Sequence, residues 1–117
     1  MAESQYVRVQ RVGPVALAEV LREKITEHEN TPVFDELGRA AASSGHRLAV
    51  DLGGVGLLSS AGLGGLISLH KACVAGGGRL VVFGVQDQIL NVLKLTHLHK
   101  LLTISEDRDA AIQKAGA

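Results

Sequence analysis

The run Arg47-Leu48-Ala49-Val50-Asp51-Leu52 leads, after a short glycine-bearing gap, into Leu57-Leu58-Ser59-Ser60-Ala61-Gly62-Leu63-Gly64-Gly65-Leu66-Ile67. The first segment is a nearly continuous apolar stretch, the signature of a strand covered on both faces. The second changes period. From Ser60 onward Leu63, Leu66, Ile67, His70 and Val74 fall on one side at the spacing of an amphipathic helix. Gly76-Gly77-Gly78 stops that helix, and Leu80-Val81-Val82-Phe83 reads as a second buried strand. Two buried strands joined through a helix form a crossover unit, expected to be right-handed.

Working outward, Tyr6 to Val12 alternates, with Val7 and Val9 on one face and Tyr6, Arg8 and Gln10 on the other. Gly13-Pro14 is a turn and Val15 to Val20 the returning strand, so residues 5–20 form an N-terminal hairpin. Leu21 to Asn30 is charged and weakly periodic, which reads as a loop with one irregular turn. Thr31-Pro32 then resembles a cap followed by proline at the first helical position, and the helix runs to Ala42. Downstream, Gln86 to Leu95 forms a helix with Ile89, Val92 and Leu93 inward. Leu101 to Ile104 forms a short strand, and a last helix starts near Ser105, with Glu106, Asp107 and Asp109 in its first turns. The order β-β-α-β-α-β-α-β-α specifies one α/β domain over residues 1–117, with a mixed sheet of four to five strands and about four helices.

Composition narrows the function. Twelve basic and twelve acidic side chains leave a formal net charge of zero, and only 3% of residues are aromatic. Neither the basic field nor the stacking platforms of a nucleic-acid binder are present. No stretch approaches the ~20 apolar residues that span a bilayer, and Met1-Ala2-Glu3-Ser4-Gln5 lacks the regions of a signal peptide. The expectation is a cytoplasmic protein with no membrane and no nucleic-acid partner. The single cysteine, Cys73, lies on an apolar stripe and reads as a buried, inert thiol.

Ser59 and Ser60 fall where the central helix begins, beside backbone N–H groups that lack intrahelical partners. Two readings stand side by side: a serine N-cap, and a modifiable hydroxyl at a helix end that favours phosphate. A hydrolase nucleophile is disfavoured, because Leu58 occupies the place of the first glycine in Gly-x-Ser-x-Gly. Gly62-Leu63-Gly64-Gly65 lacks the length and lysine of a phosphate loop, so no nucleotide or other cofactor is expected. His97 and His99 have no acidic or cysteine partner at matching spacing, so no metal site is expected either. Asp51, ending a buried strand, is placed to face the serine loop. The side of the helix opposite Leu63, Leu66 and Ile67 carries Gly64, Gly65, Ser68, Ala72 and Ala75. Such a smooth, uncharged face lets another backbone approach, whether from the same domain or from a partner.

These residues resemble a family. Val50-Asp51-Leu52-Gly53-Gly54-Val55 with Leu58-Ser59-Ser60-Ala61-Gly62-Leu63-Gly64 is similar to the STAS domain of bacterial anti-sigma factor antagonists. Ala75-Gly76-Gly77-Gly78-Arg79-Leu80, Val92-Leu93-Lys94-Leu95-Thr96-His97-Leu98 and Leu101-Leu102-Thr103-Ile104 follow in the family's order, and the likeness is densest over residues 47–112. The resemblance implies a STAS-like fold and a non-enzymatic regulator, largely monomeric when free. Such a regulator binds an anti-sigma factor that is itself an ATP-dependent serine kinase, is released from it by serine phosphorylation, and is reset by a serine phosphatase. It places the phosphoacceptor at Ser60, with Ser59 second, and puts Ser59 where the family has aspartate. The partner surface would comprise Ser59, Gly62, Leu63, Gly64, Gly65 and Ser68. The alternative is a constitutive STAS scaffold that uses the same surface without phosphorylation. A small-ligand or nucleotide-binding enzyme is a third possibility.

Overall fold

The computed structural model describes residues 2–117. Strands β2 (Val7–Val12) and β3 (Val15–Val20) form the expected hairpin, with Val12 paired to Val15 across a turn in which Gly13 takes φ +58°. Strands β5 (Arg47–Asp51), β7 (Arg79–Phe83) and β8 (Thr103–Ser105) add to β3 in parallel. The two-residue β1 (Ala2–Glu3) pairs antiparallel with β2, giving a mixed sheet of order β1-β2-β3-β5-β7-β8. A separate two-stranded ribbon joins β4 (Lys24–Ile25) to β6 (Leu57–Leu58). Ribbon and edge strand, each only two residues long per strand, carry too few side chains for a period-2 pattern to register in the sequence.

Alternation along β5 and β7 sends side chains into two cores. Leu48, Val50, Leu80 and Val82 face helices α1 (Glu27–Ala42), α2 (Ser60–Ala75) and α3 (Asp87–Leu95), whose Val33, Leu37, Leu66, Cys73, Ile89 and Leu93 complete one cluster. Ala49, Val81 and Phe83 face the opposite way, against Ala111 and Ala115 of α4 (Arg108–Gly116). The expectation of strands covered on both faces is met, and the result is a three-layer α/β sandwich. No helix among the described residues is long and apolar enough to cross a membrane.

Helix α1 corrects the sequence reading. It begins at Glu27, with Thr26 as N-cap, so Pro32 lies inside it and does not open it. The operative signal is Thr26-x-x-Glu29: the Glu29 carboxylate accepts both the Thr26 backbone N–H, at 2.9 Å, and the Thr26 hydroxyl, at 2.5 Å. This is the reciprocal arm of a capping box. Pro32 removes the hydrogen bond that the carbonyl of His28 would accept, and His28 is solvent-exposed, where water can serve that carbonyl. The last helix is also shifted: Ser105 belongs to β8 and α4 starts at Arg108, capped by the Asp107 carboxylate on the Ala110 N–H at 2.9 Å. Between α3 and β8 the chain makes a short 3-10 turn, Leu98–Lys100, entered through His97 in the left-handed conformation at φ +61°.

The hydrogen bonds from Thr26 hold the Glu29 carboxyl below its ordinary value of 4.5. A depressed carboxylate pKa stabilises the fold above the unfolded-state value, and that stability is lost as pH falls through the folded-state value. Glu29→Gln should therefore flatten the acid limb of the stability curve below pH 4.5 while leaving its shape near neutrality unchanged, as measured by thermal melts across pH.

Candidate functional site

The site is built from the carboxyl end of β5 to the first turn of α2. Asp51 Oδ1 accepts the Gly53 N–H at 2.8 Å, and Gln86 Nε2 donates to the Gly53 carbonyl at 2.8 Å, which fixes the exit from the strand. The Gly56 and Leu57 N–H groups both donate to the Glu23 carbonyl, and the Ser59 N–H donates to the Ile25 carbonyl at 3.0 Å. The segment from Asp51 to Ser59 is thus pinned from both sides. Asp51 does not reach the serines; its carboxylate closes the loop next to it.

The two serines divide the work at the helix start. Ser59 is the N-cap, in extended conformation at φ −79° and ψ 174°, and its Oγ accepts the Gly62 N–H at 3.2 Å. Ser60 is the first helical residue and is solvent-exposed. One hydroxyl therefore satisfies an orphan amide, while the next projects from a helix N-terminus into solvent. The first turn of α2 holds no acidic side chain, so the positive end of the helix dipole is left uncompensated there.

The buried side of α2 differs from the expected one. It consists of Gly62, Leu66, Leu69 and Cys73, while Leu63, Ile67 and His70 are half-buried and Val74 is 57% exposed. Two glycines assigned to an outward surface serve internal packing. A Cβ on Gly62 would stand 2.6 Å from Leu58 Cδ1 and 3.0 Å from the Ile25 carbonyl oxygen, and Gly62 is buried. A Cβ on Gly65 would lie 2.8 Å from Phe34 Cζ and nearer still to two other atoms of that ring, so Gly65 lets α1 close onto α2. Gly64 and Ser68 are exposed, and nothing lies within 4 Å of a Cβ placed on Gly64. They flank an open groove of about 510 Å³ between the two helices, bordered on the α1 side by Asn30, Thr31 and Asp35. Leu57, two residues before Ser59, is a 54% exposed apolar side chain that the sequence did not single out.

The remaining candidates behave simply. Cys73 is buried, and burial alone pushes its thiol pKa up to about 11, so it stays protonated and unreactive at neutral pH. The rings of His97 and His99 are 6.4 Å apart, and no group of three His, Cys, Asp or Glu suited to a metal ion occurs among the described residues.

The comparisons agree with the fold. A model of the STAS domain family matches residues 8–111. An anti-sigma-factor antagonist (STAS) domain protein from Planctomyces limnophilus is similar with TM-score 0.84 and 17% identity, over 95% of this chain and 98% of its own. An anti-sigma factor antagonist from Mycobacterium paratuberculosis gives TM-score 0.82 and 20% identity, over 95% of this chain and 93% of its own. The Bacillus cell fate determinant SpoIIAA in its phosphorylated form gives TM-score 0.67 and 11% identity, over 92% of this chain and 97% of its own. At these identities the likeness establishes the fold.

Neighbouring glycines of α2 should respond to alanine with opposite signs. Gly64→Ala, entering open space, should stabilise the protein by about 0.5–1 kcal/mol through helix propensity. Gly65→Ala, driven into the Phe34 ring, should destabilise it by about 1–3 kcal/mol. Urea denaturation of the two variants measures both.

Proposed function

This chain belongs to the STAS domain family, and on that footing we propose that it is an anti-sigma factor antagonist switched by phosphorylation of Ser60. The observation that carries the reading is the division between the two serines: Ser59 is committed to the N-cap through Gly62, and Ser60 is exposed on the first helical residue. Serine and aspartate are both good N-caps. Ser59, standing where the family resemblance puts aspartate, therefore keeps the helix start intact and leaves Ser60 available to a kinase.

In the unmodified state, Ser59, Leu63, Gly64 and Ser68, with Leu57 beside them, offer a nearly uncharged surface to the anti-sigma factor. Gly62 and Gly65 act beneath that surface by setting the height and tilt of α2. A phosphate on Ser60 adds about −1.5 to −2 charges. In the free protein it rests at a helix N-terminus that lacks any acidic neighbour in its first turn. In the complex it would have to be desolvated against a smooth interface, at a cost of several kcal/mol per buried ion unless the partner supplies a counter-charge. The modification thereby favours the free state. The protein performs no chemistry itself; the anti-sigma factor acts as an ATP-dependent serine kinase on it, and a serine phosphatase restores the hydroxyl.

The test is phosphosite mapping on protein taken from its native cells at rest and under stress, paired with binding of the cognate anti-sigma factor to variants. Phosphate on Ser60 that changes with condition, loss of binding in Ser60→Asp and retained binding in Ser60→Ala are the expected results. Equal affinity of the two variants, with Ser59 and Ser60 unmodified in both conditions, would replace the switch by a constitutive interaction module. Ser59→Ala should cost about 1 kcal/mol of stability through loss of the cap and should leave Ser60 phosphorylatable.

A further inference from the structure

The face of the sheet turned away from α1, α2 and α3 carries a cavity of about 300 Å³ that the serine site does not use. It lies at the carboxyl ends of the parallel strands β3, β5 and β7, whose pairing ends with Glu19, Asp51 and Phe83 along this row. The strand register places Arg8, Glu19, Asp51 and Phe83 in one row across β2, β3, β5 and β7. Arg108, the first residue of α4, is solvent-exposed and lines this cavity.

The charges in this row are not equally committed. Arg8 Nη1 closes on Glu19 at 2.9 Å and its Nε on Glu3 at 2.8 Å. Asp51 uses Oδ1 for the Gly53 N–H, and a carboxylate has about four acceptor sites over its two oxygens. Arg108 lines the same space, yet no ion pair among the described residues joins it to Asp51 or Glu19. The same cavity is lined by two apolar side chains, Leu17 and Phe83, 8% and 5% exposed. A negative pole, an apolar lining and a positive pole thus share one cavity whose volume is at the small end of ligand sites.

We propose that this cavity binds a small zwitterion of free amino-acid size, its ammonium on Asp51, its carboxylate on Arg108 and its side group against Phe83 and Leu17. A ligand carrying both charges satisfies both poles without adding net charge to the site. An anion alone leaves Asp51 unmatched, and a cation alone leaves Arg108 unmatched. The guanidinium suits a carboxylate in particular, because its donors can engage both oxygens. Binding is independent of the antagonist reading and of Ser60.

The experiment is a titration of the isotopically labelled full chain with the standard L-amino acids, one at a time at millimolar concentration, followed by amide chemical shifts. The expected result is a saturable response to a subset of them, centred on Asp51 to Gly54, Phe83 to Gly84 and Arg108. Asp51→Asn, which retains an acceptor for Gly53, and the surface change Arg108→Gln should each keep the native spectrum and weaken binding about tenfold or more, as expected for loss of a charge-assisted hydrogen bond. Lack of a saturable response to any amino acid would overturn the proposal. So would unchanged affinity in both variants. An equal response to acetate would also overturn it, by reducing the site to one for simple anions.

Discussion

Everything at the serine end of this molecule depends on how closely α2 approaches its neighbours, and that approach is set by two missing side chains. At Gly62 the helix backbone sits against Leu58 and the carbonyl of Ile25, and at Gly65 it lies under the ring of Phe34. Sterically, these contacts fix both the height of α2 above the sheet and its rotation about its own axis. They act together with the pinned segment from Asp51 to Ser59, in which Glu23, Ile25 and Gln86 each hold a backbone group. The position of the first helical turn is therefore a property of core packing, and the serines inherit it.

Those packing requirements also explain what the sequence disclosed and what it withheld. The buried strands announced themselves because β5 and β7 are apolar at every interior position, as a strand between two layers must be. The rotation of α2 was not legible. Leu63, Leu66, Ile67, Leu69, Cys73 and Val74 spread aliphatic residues around most of the helix, so a 3.6-residue template fits several faces almost equally well. Only the partners select the true one: Phe34 needs the space at Gly65, and Leu58 needs it at Gly62. The start of α1 was masked in a different way, by a Thr-Pro pair that mimics a helix opening inside a helix already begun at Glu27. The true start is encoded five residues earlier, in Thr26-x-x-Glu29, whose side chains close the capping box.

The chemistry at the helix start is simple because its parts are separate. The N-cap bond belongs to Ser59 and the exposed position to Ser60, so a change at the second does not remove the support given by the first. A single serine serving both purposes would couple charge at the surface to fraying of the helix. The opposite face of the sheet is divided in a similar way: Ala49, Val81 and Phe83 pack against Ala111 and Ala115 of α4, while Arg8, Glu19 and Asp51, in the same row as Phe83, border a cavity.

The sheet is bounded by strands of two residues on one side, Ala2–Glu3, and three on the other, Thr103–Ser105. A sheet whose interior strands are this aliphatic would be a dangerous template if either border were long, since a row of unpaired amides recruits the strands of other chains. Here β8 ends after three residues, β1 covers Arg8 and Val9 of β2, and the stretch of β2 that β1 leaves open carries the exposed Arg11. Short edge strands and a local cation on the open edge both work against pairing with another chain, in a protein whose formal net charge is zero.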